Sequence, residues 1–434
     1  MSTTYPELSA RFQPLFDQIA AGSLLRDLER RLPFDEVRQL DEAGFGALRV
    51  PVAQGGAGAR IEDFIRLLID LAEADSNIAH LYRSHAGFVE SLRFLPDDVQ
   101  ATWYPRVTSG ATVGNASTEK GGNALGTLNT VLTPTPDGWV LNGRKSYATG
   151  SIFSDYTRVS AAVEDEDGVV QPGRRFAVVP TDAPGVTLED DWDGFGQKLT
   201  GTGTAVFEQV RLPAEAVLGR TAGTPEAIHE AAYFQLVLLA VLAGIARAAR
   251  RDAAATVAGR ARTFNTGSGL PFREDPLIQE ATGRIAAAAF SAEATVLHAA
   301  RALDDSLAAA ARTGADRFSF QGEVPRELHL AEIAVEHAQV TVPELALRAA
   351  QDLFLTVGAS ATSTAQGLDR HWRNAQTVAT HNPIAFRARA LGDYWINGTL
   401  PEGLNAIGDA VRSGAKTGAA SVAGPTPEPV SPGR

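Results

Sequence analysis

The sequence predicts an α+β protein in three successive parts: an N-terminal helical domain, a small central β-barrel or sandwich, and a C-terminal four-helix bundle. Three observations carry this. Apolar residues recur at helical spacing over roughly the first 110 residues, as in Leu24, Leu25, Leu28, Leu32, Val37 and Leu40 with charges between them. From about Ala111 the period drops to two, with Gly, Pro and Asp turns between short runs. Past Arg220 the chain returns to long, alanine-rich helical patterns. Four regions follow: 1–110 helical, 111–222 β, 223–410 the bundle, and a Gly/Ala/Ser/Pro-rich stretch 411–434 expected to be a disordered tail.

In the first region, Gly44-Phe45-Gly46 ends a helix and Gly55-Gly56-Ala57-Gly58 makes a loop. Ile61–Ala74 reads as an amphipathic helix, and Ser76-Asn77 as the cap of a helix over Ile78–Phe94. His80 and Ser84 are four apart there and share a face, with His85 beside them. In the second region Thr130–Thr133, Thr157–Val163, Arg175–Pro180 and Thr204–Val210 read as strands. Trp139 to Tyr147 reads as a hairpin about Asn142-Gly143. In the third, helices are expected over Glu226–Arg262, Pro276–Arg312, Pro325–Gly358 and Ile384–Asn397, the third kinked or interrupted at Pro343.

Composition excludes several classes. The chain has 434 residues and a formal net charge of -12, which argues against nucleic acid or an acidic membrane as partner. It has no cysteine, so thiolate chemistry and disulfides are absent. No apolar leader stands at the N-terminus, and the longest apolar run, Leu236–Ala246, falls short of the ~20 residues of a membrane span. A cytoplasmic location with no membrane partner is expected. GxGxxG after a strand, GxxxxGK[ST] and GxSxG are all missing, against a Rossmann, P-loop or hydrolase reading.

One stretch concentrates chemistry. Asp369–Pro383 holds His371 and His381, Arg370 and Arg373, Trp372, Asn374 and Asn382, in a chain with only eight histidines and five tryptophans. The histidines are ten apart, too far for a metal pair on one helical face, and no metal is expected. Pro383 forbids helix at the junction, which puts His381 at a turn between helices with Asn382 as the cap of the next one. His371 reads more readily as a brace than as a catalyst.

The domain order resembles the acyl-CoA dehydrogenase superfamily, together with Gly114–Gly122 at the entry to the β-region, Phe195–Thr200, and Val206–Pro213. The resemblance implies a flavin between the β-domain and the bundle. That family's dehydrogenases use a late carboxylate base, whereas Asp369–Pro383 has histidines and no glutamate. The chain is in this respect similar to the flavin-dependent monooxygenase branch, which includes dibenzothiophene monooxygenases, other sulfur-acquisition oxygenases and amino-sugar N-oxygenases. The resemblance implies reduced FMN (FMNH2) rather than FAD, O2 added at flavin C4a as a hydroperoxide, a separate NAD(P)H:flavin reductase, and a homotetramer. Imidazole suits that work because it titrates near neutrality.

The resemblance also distributes roles. His80, His381 and Asn115 would be catalytic. Asn115, Ala116, Ser117, Thr118, Glu119 and Lys120 would line the ring edge, with Ser84, Lys145, Tyr147 and Thr149 near it. Arg262, with Ala359 and Ser360, would face the phosphate, Arg262 from a neighbouring subunit. Three positions depart from the dibenzothiophene enzymes: Ser84 replaces a tyrosine, Ser360 replaces a phosphate arginine, and the lid 120–126 is richer in glycine. The activity implied is oxygenation of a small organosulfur compound at sulfur. N-hydroxylation of an amine is an alternative, as is an FAD-dependent acyl-CoA dehydrogenase with Glu119 or Asp369 as base. A flavin-free helical scaffold is the remaining class.

Overall fold

In the computed structural model, residues 2–120, 128–165, 167–219, 224–260, 267–312 and 324–401 are described. The expected lid, Arg262 and the tail at 411–434 lie outside the described residues, the lid except for Lys120. Six helices come first: α1 (Tyr5–Glu29), α2 (Phe34–Glu42), α3 (Ile61–Ala74), α4 (Ser76–Leu81), α5 (Arg83–Ser91) and α6 (Asp97–Thr108). The buried face of α1 is Leu8, Phe12, Phe16 and Ile19, while Leu25 and Leu28 are exposed. The expected helix over 78–94 starts at Ser76 and breaks at Tyr82. Its cap is Asp75, whose carboxylate accepts the Asn77 N–H at 3.1 Å.

Among the described residues eight strands follow: β1 (Val113–Ala116), β2 (Val131–Thr135), β3 (Gly138–Lys145), β4 (Tyr156–Glu164), β5 (Val170–Pro180), β6 (Val186–Leu188), β7 (Ala205–Leu212) and β8 (Val217–Leu218). They form one sheet in the order β6-β7-β3-β2-β4-β5-β8, with β1 parallel to β4. Leu132, Leu141, Val159, Val179, Phe207 and Val210 share one core lined by sheet residues, so the sheet rolls over itself. The hairpin expected at Asn142-Gly143 is instead a bulge inside the single strand β3, opposite β7. Gly143 has φ 151 and an added Cβ would stand 2.5 Å from Thr130 Oγ1, while Asn142 Oδ1 accepts the Gln209 N–H at 2.8 Å.

The bundle consists of α7 (Pro225–Ala258), α8 (Pro276–Arg312) and α9 (Arg326–Val357), with α10 (Asp369–Ala379) and α11 (Ile384–Asn397) against α7 and α9. The fourth position is thus filled by two short helices. Pro343 does not interrupt α9. The apolar run expected to end at Ala246 belongs to a 34-residue helix, and 89% of its most apolar 18-residue window is buried in the protein. α7 packs on α3, α8 and α9 and carries the centre of the main core.

Candidate active site

Residues 234 and 235 of α7 draw three elements together. The Phe234 carbonyl accepts Arg83 Nε of α5 at 3.0 Å, and the Phe234 ring stacks under the same guanidinium at 4.8 Å. Gln235 Oε1 accepts Asn382 Nδ2 at 2.5 Å and Gln339 Nε2 at 3.0 Å. Asn382 therefore ties the α10–α11 turn to α7 and does not cap α11, whose cap position is Pro383. The close approach of α5 to α7 needs Gly87, since a Cβ there would come 2.3 Å from the Phe234 ring.

This docking brings His80, Arg83 and His381 into one electrostatic neighbourhood. Burial, then the positive Arg83, pushes the His80 imidazole down to about 4. His381 is also pushed below its usual value, by surrounding protein, by Arg83 and by His80. The His381 residue is nonetheless exposed in the single protomer. Both imidazoles are neutral at pH 7. Arg83 is the residue that sequence reasoning missed, because a lone helical arginine carries no pattern.

His80 is held from below. Its Nδ1 lies 3.2 Å from Gln197 Oε1, and Gln197 Nε2 donates to Ser76 Oγ at 3.3 Å. Gln197 is 1% exposed and has a left-handed φ of 51, a conformation that costs a non-glycine residue about 1 kcal/mol or more. Asn374 of α10 holds it there by accepting its backbone N–H at 2.7 Å. With the Gln197 amide oriented as this network assigns it, His80 carries its proton on Nδ1 and leaves Nε2 as an acceptor.

The β-domain supplies the facing wall. Asn115 Oδ1 accepts the Ser117 hydroxyl at 3.0 Å, and among the described residues Asn115 Nδ2 has no partner. The Thr149 and Thr202 hydroxyls are 2.7 Å apart, and the Thr149 carbonyl accepts Ser84 Oγ at 3.3 Å. Tyr147, at φ 62, is exposed, meets Trp192 edge-on, and lies under Lys120 Nζ at 4.8 Å. An amide donor, hydroxyls and an aromatic pair on a half-open wall are the partners a planar ring with polar edges requires.

Several expected ligands take other roles. Lys145 is fully buried, and its Nζ bonds Glu119 Oε1 at 2.6 Å. Glu119 also accepts the N–H groups of Asn129 and Thr130, at 2.8 and 3.0 Å, and is held down to about 2. Burial raises that carboxylate, but the Lys145 and backbone bonds outweigh it. Both residues pin the loop rather than face a ring. The Ala116 side chain is in the sheet core, Thr118 pairs its backbone with Ser146, and Ser84 spends its hydroxyl on Thr149. His85 is structural: Nδ1 accepts the Val113 N–H at 3.1 Å, which places its proton on Nε2, facing the Gly46 carbonyl at 3.0 Å. His371 braces Asp252 at 2.8 Å.

Ala359 and Ser360 are exposed, in a short turn after α9, and the Arg260 guanidinium rests on Ser360 Oγ and the Val357 carbonyl. Phe234 and Ala258 are 24 residues apart on α7, roughly 36 Å at 1.5 Å per residue. Within one protomer Ala359 and Ser360, at that end of α7, therefore lie far from His80 and His381.

The chain belongs to the acyl-CoA dehydrogenase family: residues 17–111, 114–210 and 236–386 match that family's N-terminal, middle and C-terminal domains. Among its relatives is the probable FMNH2-dependent monooxygenase SfnC of Pseudomonas putida, 29% identical over 89% of this chain and 94% of its own. The dibenzothiophene monooxygenase of Rhodococcus qingshengii is 29% identical over 84% of this chain and 87% of its own. Methanesulfinate monooxygenase MsuC of Pseudomonas fluorescens is 28% identical and superposes with a TM-score of 0.80, covering 92% of this chain and 99% of its own.

Proposed function

We propose that this protein is an FMNH2-dependent monooxygenase that transfers one atom of O2 to the sulfur of a small organosulfur compound, with reduced flavin supplied by a separate NAD(P)H:flavin reductase. The observation that carries it is the pair of neutral imidazoles, His80 and His381, where a dehydrogenase would need a carboxylate. The carboxylates considered as bases are occupied. Glu119 is bound to Lys145 and two backbone N–H groups, and Asp369 is half exposed and paired with Arg373 at 2.7 Å. The relatives named above, each with an oxygenase name, support the same reading.

The reduced cofactor supplies two electrons and the site at which O2 is activated. Asn115 and Thr149 hold its ring edge by an amide N–H and a hydroxyl. Neutral His80, accepting at Nε2, and His381 hold or return a proton at the reacting oxygen without adding negative charge beside it. If Ala359 and Ser360 serve the phosphate, they do so from a second copy of the chain, given the length of α7, and a homotetramer is the assembly that the family resemblance implies. Stopped-flow mixing of the protein and anaerobically reduced FMN with oxygenated buffer tests the reading. A protein-dependent transient in the near ultraviolet that decays faster with an organosulfur substrate supports it. Free-rate flavin reoxidation, together with bound FAD bleached by an acyl-CoA, overturns it.

A further inference from the structure

Three threonine hydroxyls run in line from the backbone of residue 197 to the β-domain wall of the cleft. Thr200 Oγ1 lies 2.9 Å from the Gln197 carbonyl and 2.7 Å from Thr202 Oγ1, which lies 2.7 Å from Thr149 Oγ1. Thr200 and Thr202 are buried, and Thr149 is half-buried. Backbone bonds hold the two segments together: the Ala148 N–H donates to the Gly203 carbonyl at 2.8 Å, and the Gly150 N–H to the Thr200 carbonyl at 3.0 Å.

The direction of this chain is fixed at its buried end. A hydroxyl has one hydrogen to donate and two lone pairs to accept with, and a carbonyl has no hydrogen to donate. The hydrogen between Thr200 and the Gln197 carbonyl is therefore that of Thr200. Thr200 has nothing left to donate, so its contact with Thr202 uses the hydrogen of Thr202. By the same step the last contact uses the hydrogen of Thr149. Every link is at hydrogen-bond length, where two facing lone pairs would repel. Thr149 Oγ1 thus ends the chain with its hydrogen spent and only lone pairs to offer the cleft.

Reduction turns the central nitrogen N5 of a flavin ring from a lone-pair acceptor into an N–H donor, while N3–H and the two ring carbonyls keep their roles. An acceptor-only hydroxyl at the ring edge therefore distinguishes the two states: the reduced ring gives it an N–H, and the oxidised ring faces it with a lone pair. We propose that Thr200 and Thr202 are positioning residues that lock the Thr149 hydroxyl as an acceptor, so that the site selects the reduced flavin over the oxidised one. Reduced FMN from the reductase is then retained, and the oxidised ring is released after turnover. This rests on the FMNH2-dependent monooxygenase reading and deepens it.

The test is the ratio of two dissociation constants, for oxidised and for anaerobically reduced FMN, measured by titration of the full chain. In the native protein reduced FMN should bind about 10-fold more tightly or better, the worth of one hydrogen bond made rather than opposed. The same ratio read by spectroelectrochemistry places bound FMN about 30 mV above free FMN. Thr200→Val and Thr202→Val each release the Thr149 hydrogen, which can then be donated to the oxidised ring, and the ratio should fall to about 3-fold or less. Thr200→Ser and Thr202→Ser restore the hydroxyls and should restore the ratio. Far-ultraviolet circular dichroism checks that the variants fold, and the native ratio needs no variant.

Equal binding of the two redox states by the native protein overturns the proposal, as does FMN binding in neither state. So does a native-like ratio in both valine variants. Loss of both affinities in equal proportion also overturns it, because a merely structural role for the threonines has that signature. Failure of the parent reading looks different: a threonine-dependent preference for reduced FMN would remain while reduced FMN and O2 oxidise no sulfur compound at all.

Discussion

The contact between His80 and Gln197 makes a definite claim about a proton. In the native protein the Gln197 carbonyl faces His80 Nδ1 at 3.2 Å and the imidazole is held down to about 4 by burial and by Arg83. Gln197→Glu replaces a neutral acceptor by a carboxylate at the same distance. An opposite charge within hydrogen-bond range favours the protonated imidazole by one to three pH units, so His80 in the variant should titrate at about 5 to 7. At 1.36 kcal/mol per unit this is roughly 1.4 to 4 kcal/mol of differential interaction with the charged ring. Replacing amide by carboxylate changes neither the shape of residue 197 nor its backbone bond to Asn374, so the φ of 51 is retained.

Two measurements read the change. ¹⁵N-resolved NMR of the His80 ring should show a neutral Nδ1–H tautomer across pH 5.5–8 in the native protein, and a titration inside that window in the variant. Oxygen transfer, if it uses neutral His80, should be flat with respect to this group in the native protein over that range. In Gln197→Glu it should fall as pH drops through the raised value. An Nε2–H tautomer in the native protein, or a variant whose ring titrates no higher than the native one, would refute the reasoning.

Other outcomes follow from the same geometry. His381→Ala removes the imidazole of an exposed residue and should leave folding and FMN binding nearly intact; product yield should collapse while peroxide release rises, both read by chromatography and a peroxidase assay. Gly87→Ala places a Cβ 2.3 Å from the Phe234 ring, and overpacking of this kind costs about 1–3 kcal/mol, visible as a lower urea midpoint. His80 and His85 are both held at about 4, below the 6.5 of an unfolded histidine. The unfolded chain therefore binds more protons between those values, so stability should rise with pH from about 4 to 6.5. Each ring contributes on the order of 3 kcal/mol that is lost as pH falls through this window, and urea unfolding at pH 4.5 and 7 checks the sign. Lys145→Met strands the Glu119 carboxylate, whose side chain is 4% exposed, and should cost about 3–5 kcal/mol in the same unfolding assay.

The three-part order was legible because periodicity is a local property: α3 runs over Ile61–Ala74 as its apolar spacing requires, and the switch to alternation finds β1 three residues past the end of region 1–110. Sites are not local in that sense. His381 was legible from the Asn-Pro that ends α10, since backbone sterics alone put it in a turn. The partner that makes it chemical, Arg83, lies 298 residues earlier and becomes visible only when Gly87 lets Phe234 close onto α5. Lys145 and Glu119 show the converse. Read along the chain, each is a polar residue in a strand or loop beside a flavin-binding segment, and nothing in the spacing says that the two meet. Folded, the lysine is enclosed by the sheet and has one counter-charge within reach, so desolvation decides its role before any ligand arrives. Gln197 is a third kind of case. No propensity favours a left-handed glutamine, and the conformation persists because Asn374 and Ser76, from two other parts of the chain, hold its backbone and its amide. Strain held in place from three directions directly beneath a candidate catalytic histidine is the arrangement expected where position matters more than stability.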